Sequence, residues 1–209
     1  MADPVRVREL KVAGAFEFTP DPAPDRRGLF VAPLQDDAFV GAVGHRFPVA
    51  QVNTVVSKLD VLRGLHFTRT PGQRKYVHCV AGRALDVIVD LRVGSPTYLM
   101  SDVVEMDAES FRAVYFPIGT AHAFLALADN TVMSYLVSTP YRAELELAID
   151  PFDPALNLPW PSDRKVIRSD RDTVAPLLAD MRRDGLLPDY ADCLRISRET
   201  GYAGEGKAI

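Results

Sequence analysis

The chain has 209 residues, 47% of them hydrophobic, and 24 Lys plus Arg against 28 Asp plus Glu leave a net charge of -4. That length supports one domain with a sizeable core, and the interleaving of the two charge signs argues against nucleic acid as a partner. No signal-peptide-like apolar stretch opens the chain and no run approaches the roughly 20 apolar residues of a membrane helix, so a cytoplasmic protein with no membrane partner is expected.

From Val5 to about Ile149 the sequence reads as short alternating segments divided by Gly, Pro, Asp and Asn, the spacing of a β-sandwich or barrel. A short helix is expected near Gln35 to Val40. Strands are expected over 47–56, 75–81, 83–92, 112–117, 121–127 and 131–138. The segment RALDVIVDLR (83–92) is the clearest: Leu85, Val87, Val89 and Leu91 share one face, Asp86 and Asp90 the other, and GSPTY supplies a turn. The only good helical pattern is DTVAPLLADMRRDG (172–185), in which Val174, Leu177, Leu178 and Met181 share a face and Gly185 can cap the end. Beyond Leu187 the tail is polar enough to be loosely held. The expectation is one all-β domain over residues 1–209: a cupin-like jelly-roll β-barrel over about 5–150 with a short helical C-terminal appendage over about 172–209. Cys79 and Cys193 show no ligand-like spacing and read as plain thiols.

Several strands place polar groups on apolar faces. Lys75 alternates with Val77 and Cys79, Gln51 and Asn53 with Val55, His122 with Phe124, and Tyr135 lies between Met133 and Val137. Singly, each is more often a satisfied core or strand-end residue. Jointly they favour a polar, ligand-filled barrel, because each unpaired burial costs roughly 1 to 3 kcal/mol. In RGLHF (63–67), Arg63 and His66 are three apart and a regular strand sends them to opposite faces. A one-residue bulge at Gly64 would turn both toward one cavity.

A metal-binding cupin needs alternating histidines, and His45, His66, His78 and His122 do not supply them. A lysine, an arginine, histidines and a tyrosine suit an anionic substrate that loses and regains a proton next to a carbonyl. Arg grips phosphate, Lys neutralises enolate oxygen, His serves as base and Tyr as acid.

The segments DRRGLF (25–30), QVN (51–53), VLRGLHF (61–67), QRKYV (73–77), DVIVDLRVGSPTY (86–98), FPIGTAHAF (116–124), SYLVSTPY (134–141), LPWP (158–161) and SDRD (169–172) run in one order at characteristic separations. In this set the chain resembles the dTDP-4-dehydrorhamnose 3,5-epimerases and their relatives in deoxysugar and antibiotic-sugar biosynthesis, from about Val5 to Leu178. The resemblance implies a homodimer that needs neither metal nor organic cofactor and inverts C3, C5 or both of a dTDP-linked 4-keto-6-deoxyhexose. It implies His66 as base, Asp172 as its orienting partner, Tyr135 as acid and Lys75 as enolate stabiliser. It further implies Arg63 near the pyrophosphate, with Gln51, Asn53 and His122 lining the sugar and phosphate site, and Arg27 and Tyr141 as nucleotide and sugar contacts. For Asp172 the competing reading is a helix N-cap before Thr173, and for Arg27 a turn-side ion pair. The other function classes are a strict C3-only epimerase, a metal-dependent cupin enzyme and an inactive sugar-nucleotide binding module.

The chain departs from the family pattern in a shorter TRTPGQRK loop, in Thr68 where many members have glutamine, in Ala123 for glycine and in Ala32 for an acidic residue. These bear on the fit of the thymine and the identity of the sugar.

Overall fold

A computed structural model describes residues 5–201. In chain order its strands are β1 (Arg6–Glu9), β2 (Phe16–Thr19), β3 (Ala23–Asp25), β4 (Gly28–Phe30), β5 (Gln51–Ser57), β6 (Leu62–Thr68), β7 (Lys75–Ala81), β8 (Arg83–Asp90), β9 (Ser101–Asp107), β10 (Ala113–Phe116), β11 (Thr120–Ala126), β12 (Thr131–Val137) and β13 (Glu146–Ala148). Its helices are α1 (Asp36–Val43), α2 (Asp170–Thr173), α3 (Leu178–Arg183) and α4 (Tyr190–Gly201). A six-stranded sheet, β1-β2-β10-β7-β12-β5, faces a five-stranded sheet, β13-β6-β11-β8-β9, and β3 and β4 form a separate hairpin. This is the cupin-like jelly roll expected from the sequence. No helix among the described residues is long and apolar enough to cross a membrane.

The interior between the sheets is filled at one end by Val77, Cys79, Val114, Phe116 and Met133 from one side and Ala84, Ile88, Met106, Phe124 and Ala126 from the other. The outer face of the five-stranded sheet is also buried. There Leu65, Phe67, Val87, Val89, Leu91, Ala121 and Ala123 pack against Ile149, Leu156, Leu178 and Met181 of the C-terminal segment. Strand β8 is therefore covered on both faces, and its burial extends to Asp86 and Asp90 as well as to its apolar residues. Its face carrying Asp86 and Ile88 looks into the interior.

On the other sheet α1 lies over one end. Phe39 contacts Phe18, Phe47, Tyr76 and Tyr115 edge-on or stacked. Asp36 and Asp37 in its first turn complement the helix dipole, and Gly44 ends it at φ 86.

Two expectations for the C-terminus are corrected. The helix over 172–185 is two short helices, because Pro176 lacks an N–H and holds the preceding residue extended. Gly185 does follow the second of them, at φ 65. Over residues 188–201 the segment beyond Leu187 is not loosely held: α4 packs Cys193 and Ile196 on Ile118, and Arg74 reaches Ser197 with two hydrogen bonds; the rest of the expected loose tail, 202–209, lies outside the described residues.

Candidate functional site

The bulge expected at Gly64 is present. His122 pairs with His66 and Phe124 with Arg63, so β6 carries one extra residue over two positions of β11. Gly64 sits at φ 114, and a Cβ there would stand 2.6 Å from both the Ala123 Cβ and the His122 carbonyl oxygen. Only glycine fits. The added residue brings Arg63 and His66 to the same cavity of about 510 Å³ between the two sheets.

His66 projects from the five-stranded sheet, and its Nε2 lies 2.7 Å from Asp172 Oδ1. Nδ1 has no protein partner among the described residues. An ionised Asp172 selects the tautomer with a proton on Nε2, leaving Nδ1 as the basic nitrogen. Burial pushes the Asp172 carboxyl up, but its hydrogen bond to His66, the His66 charge, and smaller contributions from Ser169 and the Gly64 backbone outweigh this and hold it below the usual carboxylate range. The N-cap reading of Asp172 is overturned, since Ser169 caps α2 by accepting the Asp172 N–H at 3.1 Å. The cap thus aims the Asp172 carboxylate at the imidazole.

Tyr135 enters the cavity from the six-stranded sheet, where its register partners are Asn53 and Val77. Burial raises its phenol well above the ordinary value, Asp86 adds to this and Arg63 opposes it, so it remains protonated at neutrality. Lys75 starts β7 on the same wall. Burial depresses its amine, against the upward pull of Glu146 and Asp86.

His122 lies beside His66 on β11 and binds Asp86 at 2.6 Å. Arg63 lines the cavity with Nε on Ser57 Oγ at 3.1 Å. Asn53 and Tyr141 are in the wall, whereas Gln51 stands behind them, donating to Asn53 Oδ1 and accepting the Tyr141 N–H at 3.0 Å. Arg27 is not brought to this cavity. It is exposed on the β3–β4 hairpin, paired with Asp25, which matches the turn-side reading.

The sequence reading missed several wall residues. Glu146 accepts from Thr68 Oγ1 at 3.1 Å. Arg168 is held by Asp150 at 2.9 Å over the Phe152 ring, and Arg171 by the Glu146 carbonyl at 2.8 Å. Arg171 belongs to the SDRD segment and Asp86 interrupts an apolar strand, so both carried a signal. Arg63, Lys75, Arg168 and Arg171 face a single carboxylate without a histidine partner, Glu146. Such a wall suits an anion. Among the described residues no three His, Cys, Asp or Glu converge as metal ligands.

The profile of the dTDP-4-dehydrorhamnose 3,5-epimerase family matches residues 9–180. The chain is 46% identical over 187 residues to the dTDP-4-dehydrorhamnose 3,5-epimerase of Mycolicibacterium smegmatis, covering 89% of this chain and 92% of that one. Its fold matches the rmlC epimerase of Mycobacterium tuberculosis with a TM-score of 0.91 at 44% identity, over 93% and 99% of the two chains. It matches ChmJ, a 3'-monoepimerase from Streptomyces bikiniensis solved with dTDP-quinovose, with a TM-score of 0.88 at 43% identity, over 92% and 98%. The chain belongs to the dTDP-4-dehydrorhamnose 3,5-epimerase family of isomerases.

Proposed function

We propose that the chain inverts C3, C5 or both of a dTDP-linked 4-keto-6-deoxyhexose. The observation that carries this reading is that the His66–Asp172 pair and the Tyr135 phenol face one cavity from opposite sheets, with Lys75 lining it on the Tyr135 side. His66 Nδ1 removes the proton from a carbon next to the C4 ketone, and the electron pair moves onto the C4 oxygen. Lys75 neutralises that oxygen. Tyr135 donates its proton to the other face of the carbon, and the resulting phenolate and imidazolium exchange with solvent. Arg63, Arg168 and Arg171 supply the cationic wall for the diphosphate.

A C3-only outcome is the second reading. It is supported by a likeness to a dTDP-4-dehydro-6-deoxyglucose 3-epimerase as great as that to a dTDP-4-dehydrorhamnose 3,5-epimerase, 46% identity in each case. Turnover in deuterated water, followed by NMR, tests both: the inverted carbon acquires deuterium, at C3 alone in the second reading. Nucleotide binding with no exchange at any pH, in wild type as in His66→Ala, would leave a binding module instead.

The homodimer belongs to the same reading. It is supported by an uncovered sheet face on which Val52, Val56 and Val80 are 58%, 59% and 46% exposed.

A further inference from the structure

His66 and Asp172 come from segments 106 residues apart, so their 2.7 Å contact depends on what holds α2 against β6. Helix α2 is four residues long. A single turn has little stability of its own and leaves its last carbonyls without donors inside the helix. Contacts from outside must therefore set its position. Arg171 gives one, on the Glu146 carbonyl at 2.8 Å.

Arg168 gives another, and it reaches Asp172 itself. Its Nη1 donates to the Asp172 carbonyl oxygen at 3.3 Å and to Asp150 Oδ1 at 2.9 Å, while the guanidinium lies over the Phe152 ring, 5.1 Å from the centroid. Asp150 is fixed in turn. Its Oδ1 accepts the Phe152 N–H at 3.1 Å, and its own N–H donates to the Pro176 carbonyl, just beyond α2, at 2.9 Å. Ile149 before it exchanges backbone hydrogen bonds with Leu65, the neighbour of His66, at 3.0 and 3.3 Å. The ion pair is partly withdrawn from water, with the Arg168 and Asp150 side chains 20% and 26% exposed. It thus joins the strand that carries the imidazole to the turn that carries its carboxylate.

We propose that the Asp150–Arg168 pair is a positioning device for the reaction: it fixes the α2 turn so that the Asp172 carboxylate stays on His66 Nε2. The proposal rests on the reading of His66 as the base. Arg168 also lines the cavity, whereas Asp150 stands outside its wall, so a change at Asp150 separates positioning from ligand contact.

The test is Asp150→Asn in the full chain. Asparagine keeps an Oδ1 for the Phe152 N–H and leaves the Arg168 cation in the wall, but removes the charge that holds it. A fall in kcat of about tenfold with KM unchanged is expected, because a slightly misplaced base loses rate and not binding. The second readout is the tautomer of each imidazole, taken from ring-nitrogen NMR shifts of isotope-labelled histidine at about pH 8.5, where an ordinary imidazole is neutral. Asp172→Asn assigns the His66 signals, and His122, held by Asp86, is the internal reference. In Asp150→Asn the His66 shifts should move toward those of the other tautomer while the His122 shifts stay in place. Arg168→Met removes both of its bonds and should move the His66 shifts in the same way; if Asp150→Asn does not fold, this variant decides. Wild-type kcat in folded Asp150→Asn, a rise in KM alone, unmoved His66 shifts in either variant, or an equal change at His122 would each overturn the proposal. The reading of His66 as the base fails separately, if His66→Ala turns over at the wild-type rate.

Discussion

His66 and His122 stand directly opposite each other on neighbouring strands, and each presents Nε2 to a carboxylate of its own, Asp172 at 2.7 Å and Asp86 at 2.6 Å. The two pairs differ in access: the His66 side chain is 30% exposed and the His122 side chain 6%. The rings of Phe116 and Tyr135 enclose His122, at 4.6 and 5.5 Å. The open imidazole is the one suited to take a proton from a ligand, and the enclosed one to hold a ligand in place.

Exchanging the two carboxylates separates these roles. Asp172→Asn replaces the charged acceptor with an amide that can also donate to Nε2, so the His66 tautomer is no longer fixed, and should lower kcat by about 10²- to 10⁴-fold with little change in KM. Asp86→Asn should act mainly on KM. Equal effects on kcat would reject the division. Asp172 also carries a stability signature. Its folded pKa is depressed, so its contribution is complete above the unfolded value and disappears as pH falls through the folded one. The gap in urea midpoint between wild type and Asp172→Asn should therefore narrow below about pH 4.

Tyr135→Phe keeps the ring and removes the proton donor. In deuterated water the variant should still exchange the substrate proton on the His66 side while inversion falls by about 10²-fold or more. Parallel loss of exchange and inversion would mean that the hydroxyl organises the site rather than protonating carbon.

What the sequence made legible follows from the range of each signal. Strand β7 matches its expected 75–81 bounds, because alternation of Lys75, Val77 and Cys79 with Tyr76 and His78 is written in consecutive residues. The bulge at Gly64 was readable for the same reason. By contrast, Asp86 is visible locally only as a carboxylate in an apolar strand, and the partner that gives it meaning, His122, lies 36 residues away. Glu146 sits on a three-residue strand too short to carry a period. Asp172 offered two readings because the serine that caps its helix precedes it by three positions, a spacing compatible with either residue as the cap.

Lys75→Met tests stabilisation of the enolate oxygen. Removing the charge should reduce kcat by about 10²- to 10³-fold. Stability should move the other way. Burial depresses the Lys75 amine below its unfolded value, so its charged form opposes folding at every pH below that value. The Met variant should unfold at a higher temperature than wild type at pH 7 by calorimetry, even as activity collapses.

Gly64→Ala addresses the bulge. The new methyl would meet Ala123 Cβ and a backbone oxygen at 2.6 Å, in a conformation at φ 114 that side chains rarely adopt. A loss of about 3 kcal/mol or more in denaturant-derived stability is expected. Gly28, at φ 135, is the control for backbone strain without the clash: a methyl there would meet nothing within 4 Å, and Gly28→Ala should lose less.

The outer face of β5, β12 and β7 makes the last prediction. Val56 stands beside Val132, and Val52 beside Leu136, with Thr54 and Ser134 between the two pairs, on a sheet whose other end is covered by α1. A second copy would remove this apolar surface from water at roughly 25 cal/mol per Å². A charge placed on it at Val56 would be taken out of water by the second copy. Val56→Glu should therefore shift the chain from dimer to monomer in sedimentation velocity at micromolar concentration. Its strand position is already exposed, so the monomer's far-UV circular dichroism should match wild type. A wild-type chain that sediments as a monomer would refute the dimer, and a variant that stays dimeric would move the interface elsewhere.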